Sequence, residues 1–119
     1  MINAFEAIKI LCTHVFNQNK SVGWWPENVE ERNKAELIAL MHSELSEALE
    51  GLRKNKMDDH LPERKSVEVE LADTVIRIFD MCGAFGYDLG GAIQEKLEYN
   101  KTRLDHKLSE RMKENGKRF

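Results

Sequence analysis

The chain is 119 residues long, with 18 Lys and Arg against 21 Asp and Glu and a formal charge of −3. A chain of this length makes one domain and buries roughly two-thirds of its unfolded surface without disulfides or structural metals. Its 33% charged and 41% hydrophobic residues exclude a disordered chain; no apolar run nears the ~20 residues of a bilayer span, and mild acidity disfavours general nucleic-acid binding.

Glu6 and Lys9 interrupt the first apolar stretch, so no signal peptide is expected. Cys12 and Cys82 sit among apolar neighbours and read as reduced core thiols of a cytoplasmic protein. Only seven glycines and two prolines occur, which favours helices over sandwiches or barrels. One domain is expected over residues 1–119, with the charged tail Ser109 to Phe119 frayed.

The first helix is predicted from about Ala4 to Asn17, with Asn3 and Glu6 as a capping box and Phe5, Ile8, Leu11, Cys12, Val15 and Phe16 at helical spacing. Gly23 and Pro26 make the stretch Gln18 to Glu27 a loop. The second helix has two competing caps, Asn28 and Asn33, and ends near Asn55. Pro62 suits the first turn of a third helix, which Gly83 and Gly86 end. Asp88 can cap a fourth, running to about Lys107 or beyond. The expected fold is an all-α bundle of four to five helices.

On the second helix, Leu37, Ile38, Leu40, Met41, Leu45, Ala48, Leu49 and Leu52 form one broad apolar arc at about 100° per residue. Glu44 falls inside that arc and Glu47 at its edge. A buried carboxylate is costly unless it is paired or binds a metal. The third helix repeats the pattern: Val67, Leu71, Val75, Ile78, Phe79 and Cys82 leave one charged strip of Glu70, Asp73, Arg77 and Asp80. Glu44 with Glu47, and Glu70 with Asp73, are i, i+3 pairs that each face one direction and repel. A divalent cation would resolve the repulsion. Four carboxylates without thiolate or imidazole favour magnesium, or manganese. The plainer reading is two solvated helix faces.

On the fourth helix, Lys96, Asn100 and Arg103 share one face, a set suited to phosphate oxygens. A solvated basic edge pairing with Glu95, Glu98 and Asp105 is the alternative. Arg77 would either reach the phosphates or neutralise Asp73 and Asp80. Trp24 and Trp25 could stack on a nucleobase, or anchor their loop. His14, His42, His60 and His106 show no metal-ligand spacing. Acidic pairs for metal and a basic face for phosphate together suggest a magnesium-carried polyphosphate substrate and phosphoryl or nucleotidyl transfer.

Glu44-x-x-Glu47, 22 intervening residues, and Glu70-x-x-Asp73 resemble the signature of the all-α nucleoside triphosphate pyrophosphohydrolases, the MazG-like superfamily. Lys96-x-x-x-Asn100-x-x-Arg103 resembles that family's third element, and Arg32-Asn33-Lys34 its approach to the first. The likeness covers about residues 30 to 107. Leu104-Asp105-His106-Lys107 departs from the Arg-Pro ending of many members. The resemblance implies a MazG-like bundle completed by a homodimer or homotetramer. It implies cleavage of a nucleoside triphosphate between the α and β phosphates, with Glu44, Glu47, Glu70 and Asp73 holding magnesium. Deoxynucleotides are the preferred substrates by analogy with pool-cleaning members. Two readings stay open beside it: a phosphoribosyl-ATP pyrophosphatase, and a non-catalytic helical interaction module. A ferritin-like di-metal oxidase is disfavoured, because such sites use Glu-x-x-His and no histidine stands three residues after Glu44 or Glu70.

Overall fold

The structure, a computed structural model, describes residues 1–111, with side chains described as far as residue 103. It is all-helical in its regular elements: α1 (Ala4–Ser21), a short 3-10 turn (Val29–Glu31), α2 (Lys34–Arg53), α3 (Ser66–Phe85) and α4 (Leu89–Arg111). Among the described residues, no helix is long and apolar enough to cross a membrane. Of the tail expected to fray, Ser109 to Arg111 continue α4 and residues 112–119 lie outside the described residues.

The expected caps are in place. Asn3 Oδ1 accepts from the Phe5 and Glu6 N–H groups while Glu6 Oε2 accepts from Asn3 N–H, a complete capping box. Both competing asparagines are used. Asn28 caps the 3-10 turn through Glu30 N–H, and Asn33 caps α2 through Glu36 N–H, each at 3.1 Å. Asp88 Oδ1 accepts from Gly91 N–H at the start of α4.

Three boundaries differ from the sequence reading. α1 runs a turn past Asn17, because its stop is Gly23 at φ 89° and not the polar residues before it. Gly86 ends α3 in the left-handed region at φ 69°. Gly83 lies inside that helix; a Cβ there would collide with the Cys12 carbonyl, so glycine lets α1 and α3 approach closely. Pro62 does not open α3, which begins at Ser66. The preceding segment is folded on itself by tertiary hydrogen bonds described below.

α3 is the central helix. It packs against α2 on one side and α1 on the other, and α4 packs chiefly against α1. α2 and α3 run antiparallel: Gly51 near the end of α2 meets Ser66 at the start of α3, and Glu44 meets Arg77 a few turns on. Trp25, Leu37 and Met81 form the core with Phe16, Val29, Met41, Ala84 and Phe85 around them. Cys12 and Cys82 are free thiols, and burial pushes both above the ordinary thiol range.

Trp25 is a core residue, at 6% exposure. Its ring makes edge contacts with Phe16 and Phe85 at 5.5 and 5.7 Å, Arg32 lies 4.9 Å over it, and its Nε1–H donates to Asp80 Oδ1 at 2.8 Å. In this arrangement the ring presents no free face to a nucleobase. Trp25→Ala is expected to cost about 3–5 kcal/mol in chemical denaturation, the usual range for emptying a buried tryptophan site; a loss under about 1 kcal/mol would contradict this placement.

The apolar arc of α2 is only half spent. Leu37 and Ala48 are buried, but Leu45, Leu49 and Leu52 are 47%, 59% and 62% exposed. On α3, Leu71 and Val75 are likewise exposed. Each of these five follows by one residue a position on the α2–α3 seam: Glu44, Ala48, Gly51, Glu70 and Thr74. Because the helices are antiparallel, a 100° turn from the seam takes both rows to the same side of the pair. The two helices therefore show one continuous apolar face to the outside.

Candidate metal centre

The acidic positions lie where α2 and α3 cross. One carboxylate oxygen from each of Glu44, Glu47 and Glu70 falls within 4.8 Å of the other two. Helical spacing puts Glu44 and Glu47 one turn apart on α2, and Glu70 faces them from α3. Asp73 stands one turn further along α3, outside this closest group. Its carboxyl is raised above the usual range by burial first and then by the negative charge of Glu44.

The three carboxylates are not equivalent. Glu44 is nearly covered, its side chain 12% exposed, and its Oε1 accepts from Arg77 Nε at 3.1 Å and lies 3.0 Å from Nη2 in the same ion pair. Arg77 thus pairs directly with Glu44, while its charge also offsets part of the rise at Asp73 and Asp80 on its own helix face. Glu47 is exposed. Glu70 is the uncompensated one: its Oε2 is buried and accepts from no donor. Burial, and then the Glu44 and Glu47 carboxylates close beside it, push its pKa up to about 8.

An oxygen in that position has two ways to be satisfied. It keeps a proton, or it meets a cation. Three converging carboxylates, one without a donor and none accompanied by thiolate or imidazole, form a set that could hold a hard metal ion. Arg77→Ala would leave Glu44 without its cation. The metal-free protein is expected to lose about 1.5–3 kcal/mol, the worth of a hydrogen bond to a charged group, in urea unfolding at neutral pH; an unchanged midpoint would contradict the pairing.

The other sequence candidates are placed apart. Lys96, Asn100 and Arg103 are exposed on α4, with Lys96 Nζ 4.6 Å over the Tyr99 ring. Since α4 packs chiefly on α1 and the carboxylates lie between α2 and α3, one chain does not bring this basic face to the acidic cluster. Trp24 is 59% exposed, and its carbonyl accepts from Arg32 Nη1 at 2.9 Å. The side chains of Leu104, Asp105, His106 and Leu108 lie outside those described.

One group that sequence spacing did not single out acts on the cluster. Asp58 is buried in the α2–α3 connection, and its charge adds to the rise at Asp73. Asp80, further along the charged strip of α3, is raised above the usual carboxylate range by burial and anchors the Trp25 indole. The signal for Asp58 was local: an aspartate followed two and three residues on by backbone N–H groups that its own carboxylate can cap. No family model, curated protein or solved structure matches the chain.

Proposed function

We propose that the chain is a magnesium-dependent nucleoside triphosphate pyrophosphohydrolase, releasing a nucleoside monophosphate and pyrophosphate. The observation that carries this reading is the convergence of Glu44, Glu47 and Glu70 with one buried oxygen lacking any donor. The order and spacing of Glu44, Glu47, Glu70, Asp73, Lys96, Asn100 and Arg103, which resemble the MazG-like signature, support the substrate class.

Glu44, Glu47 and Glu70, with Asp73 one turn along α3, would hold the ion, and Arg77 fixes Glu44. When bound, magnesium or manganese supplies neutralisation of the phosphate charge and acidifies water. Glu47, the most open of the set, orients the attacking water and takes its proton. The new bond joins that oxygen to the α-phosphorus. The bond to the bridging oxygen breaks, and its electron pair leaves with pyrophosphate. Cationic donors stabilise the charge that develops on the leaving group. Trp24, with its ring exposed, is the remaining tryptophan for base stacking.

Lys96, Asn100 and Arg103 enter this scheme from a second copy of the chain. The shared apolar face of Leu45, Leu49, Leu52, Leu71 and Val75 supports such a copy, because exposed contiguous apolar surface marks an interface. Sedimentation of the wild type is expected to give twice the 13.8 kDa chain mass or more. Leu49→Glu is expected to shift it to monomer, with the helical circular dichroism kept. A monomeric wild type would contradict the assembly.

The function itself is tested with a panel of ribo- and deoxynucleoside triphosphates, phosphoribosyl-ATP included, with and without magnesium. Products are resolved as monophosphate against diphosphate. Metal-dependent pyrophosphate release from at least one member is expected. Turnover undiminished by EDTA, or diphosphate with orthophosphate as the products, would contradict the reading.

A further inference from the structure

The connection between α2 and α3 is a built structure, not a tether. The Lys56 N–H donates to the Gly51 carbonyl at 3.1 Å, and the Lys56 carbonyl accepts from Ser66 N–H at 2.8 Å. Met57 and Lys65 pair as an antiparallel bridge, and Asp58 N–H donates to the Arg64 carbonyl at 2.9 Å. The buried Asp58 carboxylate closes the turn by accepting from the His60 and Leu61 N–H groups at 2.9 and 2.8 Å. At the base, a Cβ on Gly51 would stand 2.6 Å from Ser66 Oγ, so only glycine lets α2 end this close to the start of α3.

This fixed loop walls a cavity of about 330 Å³ that opens directly beside the acidic cluster. Glu47, Glu50 and Glu70 line the side contributed by the two helices; Lys56, Asp59, His60 and Ser66 line the side contributed by the loop and the first turn of α3. α3 begins without a side-chain cap, and its Ser66, Glu68 and Val69 N–H groups donate instead to the Lys56 and Lys65 carbonyls. No phenylalanine, tyrosine or tryptophan lines the cavity, and no large aliphatic residue does. That lining offers a nucleobase nothing to stack on. It offers a phosphate an ammonium, a hydroxyl and an imidazole, beside carboxylates that a metal ion would neutralise. The Lys56 ammonium is loosely engaged: its nearest anion is Asp59 at 3.9 Å, and both side chains are exposed, so little holds it from a ligand.

We propose that Lys56, with His60 and Ser66, forms the subsite for the terminal phosphates of a polyphosphate held at the carboxylates, the part that leaves as pyrophosphate. This rests on the reading of Glu44, Glu47 and Glu70 as a metal centre, since the acidic wall of the cavity accepts an anion only when a cation neutralises it. The loop is placed by its own hydrogen bonds before any ligand arrives. The subsite lies within one chain and is independent of the basic face of α4.

Calorimetric titration separates the two claims. Magnesium alone is titrated into wild type and Lys56→Ala, and then inorganic pyrophosphate is titrated with magnesium saturating. Equal metal affinity is expected in both proteins, with pyrophosphate bound about tenfold more weakly by Lys56→Ala, the loss of one charge-assisted contact. Lys56→Arg, which keeps the charge, is expected to recover most of it, and binding of a nucleoside monophosphate is expected to change little. Pyrophosphate affinity equal in wild type and Lys56→Ala would overturn the subsite and leave the metal centre standing. Wild type that binds no magnesium would overturn both.

Discussion

Glu70→Gln is expected to remove magnesium-dependent pyrophosphate release while leaving the four helices intact. Glu70 faces Glu44 and Glu47 across the α2–α3 seam, and its Oε2 is the one buried oxygen of the cluster without a donor. The amide is nearly isosteric, so packing is preserved. It cannot supply a second anionic oxygen to a hard cation. Losing one preorganised electrostatic group from a site that neutralises phosphate charge costs on the order of 10²–10³ in turnover. Initial rates of pyrophosphate release, with circular dichroism as the control for folding, check this. A variant within about threefold of wild type, where the same principle requires a hundredfold or more, would mean that Glu70 does not serve the reaction.

The same residue carries the second large effect, this time on stability. Glu70 has its pKa raised to about 8, by burial first and by its carboxylate neighbours second. Between its unfolded value near 4.5 and its folded value near 8, the folded chain holds a proton that the unfolded chain has released. Stability then falls as pH rises through that window, by at most ~1.4 kcal/mol per pH unit for one proton. It levels off above the window, where neither state binds the proton. Asp73, also raised, adds in the same direction. Metal-free wild type is therefore expected to melt at a lower temperature at about pH 8 than at about pH 5.5. Glu70→Gln, which mimics the protonated state, should flatten most of this dependence and melt above wild type at the higher pH. Magnesium binds the deprotonated carboxylates, so its stabilisation should be greater at the higher pH and small in the variant. A metal-free wild type that gains stability over this range would contradict the assignment.

The sequence made the local features legible because their causes are local. Asn3, Asn28, Asn33 and Asp88 cap the elements that follow them, since a cap needs only a side-chain oxygen within three residues of free N–H groups. The carboxylates were legible through conflict: Glu44 interrupts an apolar arc, and such a conflict has to be resolved by the tertiary structure. What spacing could not give was the partner of each charge. Arg77 reads as a neighbour of Asp73 and Asp80 along its own helix, yet the antiparallel packing of α2 delivers Glu44 to it.

Other departures have the same origin. Pro62 has the dihedral preference of a helix start, but Asp58 captures the His60 and Leu61 N–H groups and holds the segment as a turn. Trp25 could either meet a base or anchor its loop on the sequence alone. Asp80, far away in sequence, draws the indole into the core through one hydrogen bond. Periodicity marked Leu45, Leu49 and Leu52 as core, and they face outward in the single chain. Periodicity reports that a face is apolar, not which molecule covers it. Lys56 and His60 carried no motif at all; only the folded loop sets them beside Glu47 and Glu70.

The most direct test is a manganese titration of the metal-free protein, with the free ion read by electron paramagnetic resonance. Wild type is expected to take up manganese saturably, and Glu44→Gln and Glu70→Gln to bind it at least tenfold more weakly, as befits groups of a coordination site. Uptake by those two variants equal to that of wild type, or no uptake by wild type, would contradict the metal centre on which the proposed chemistry stands.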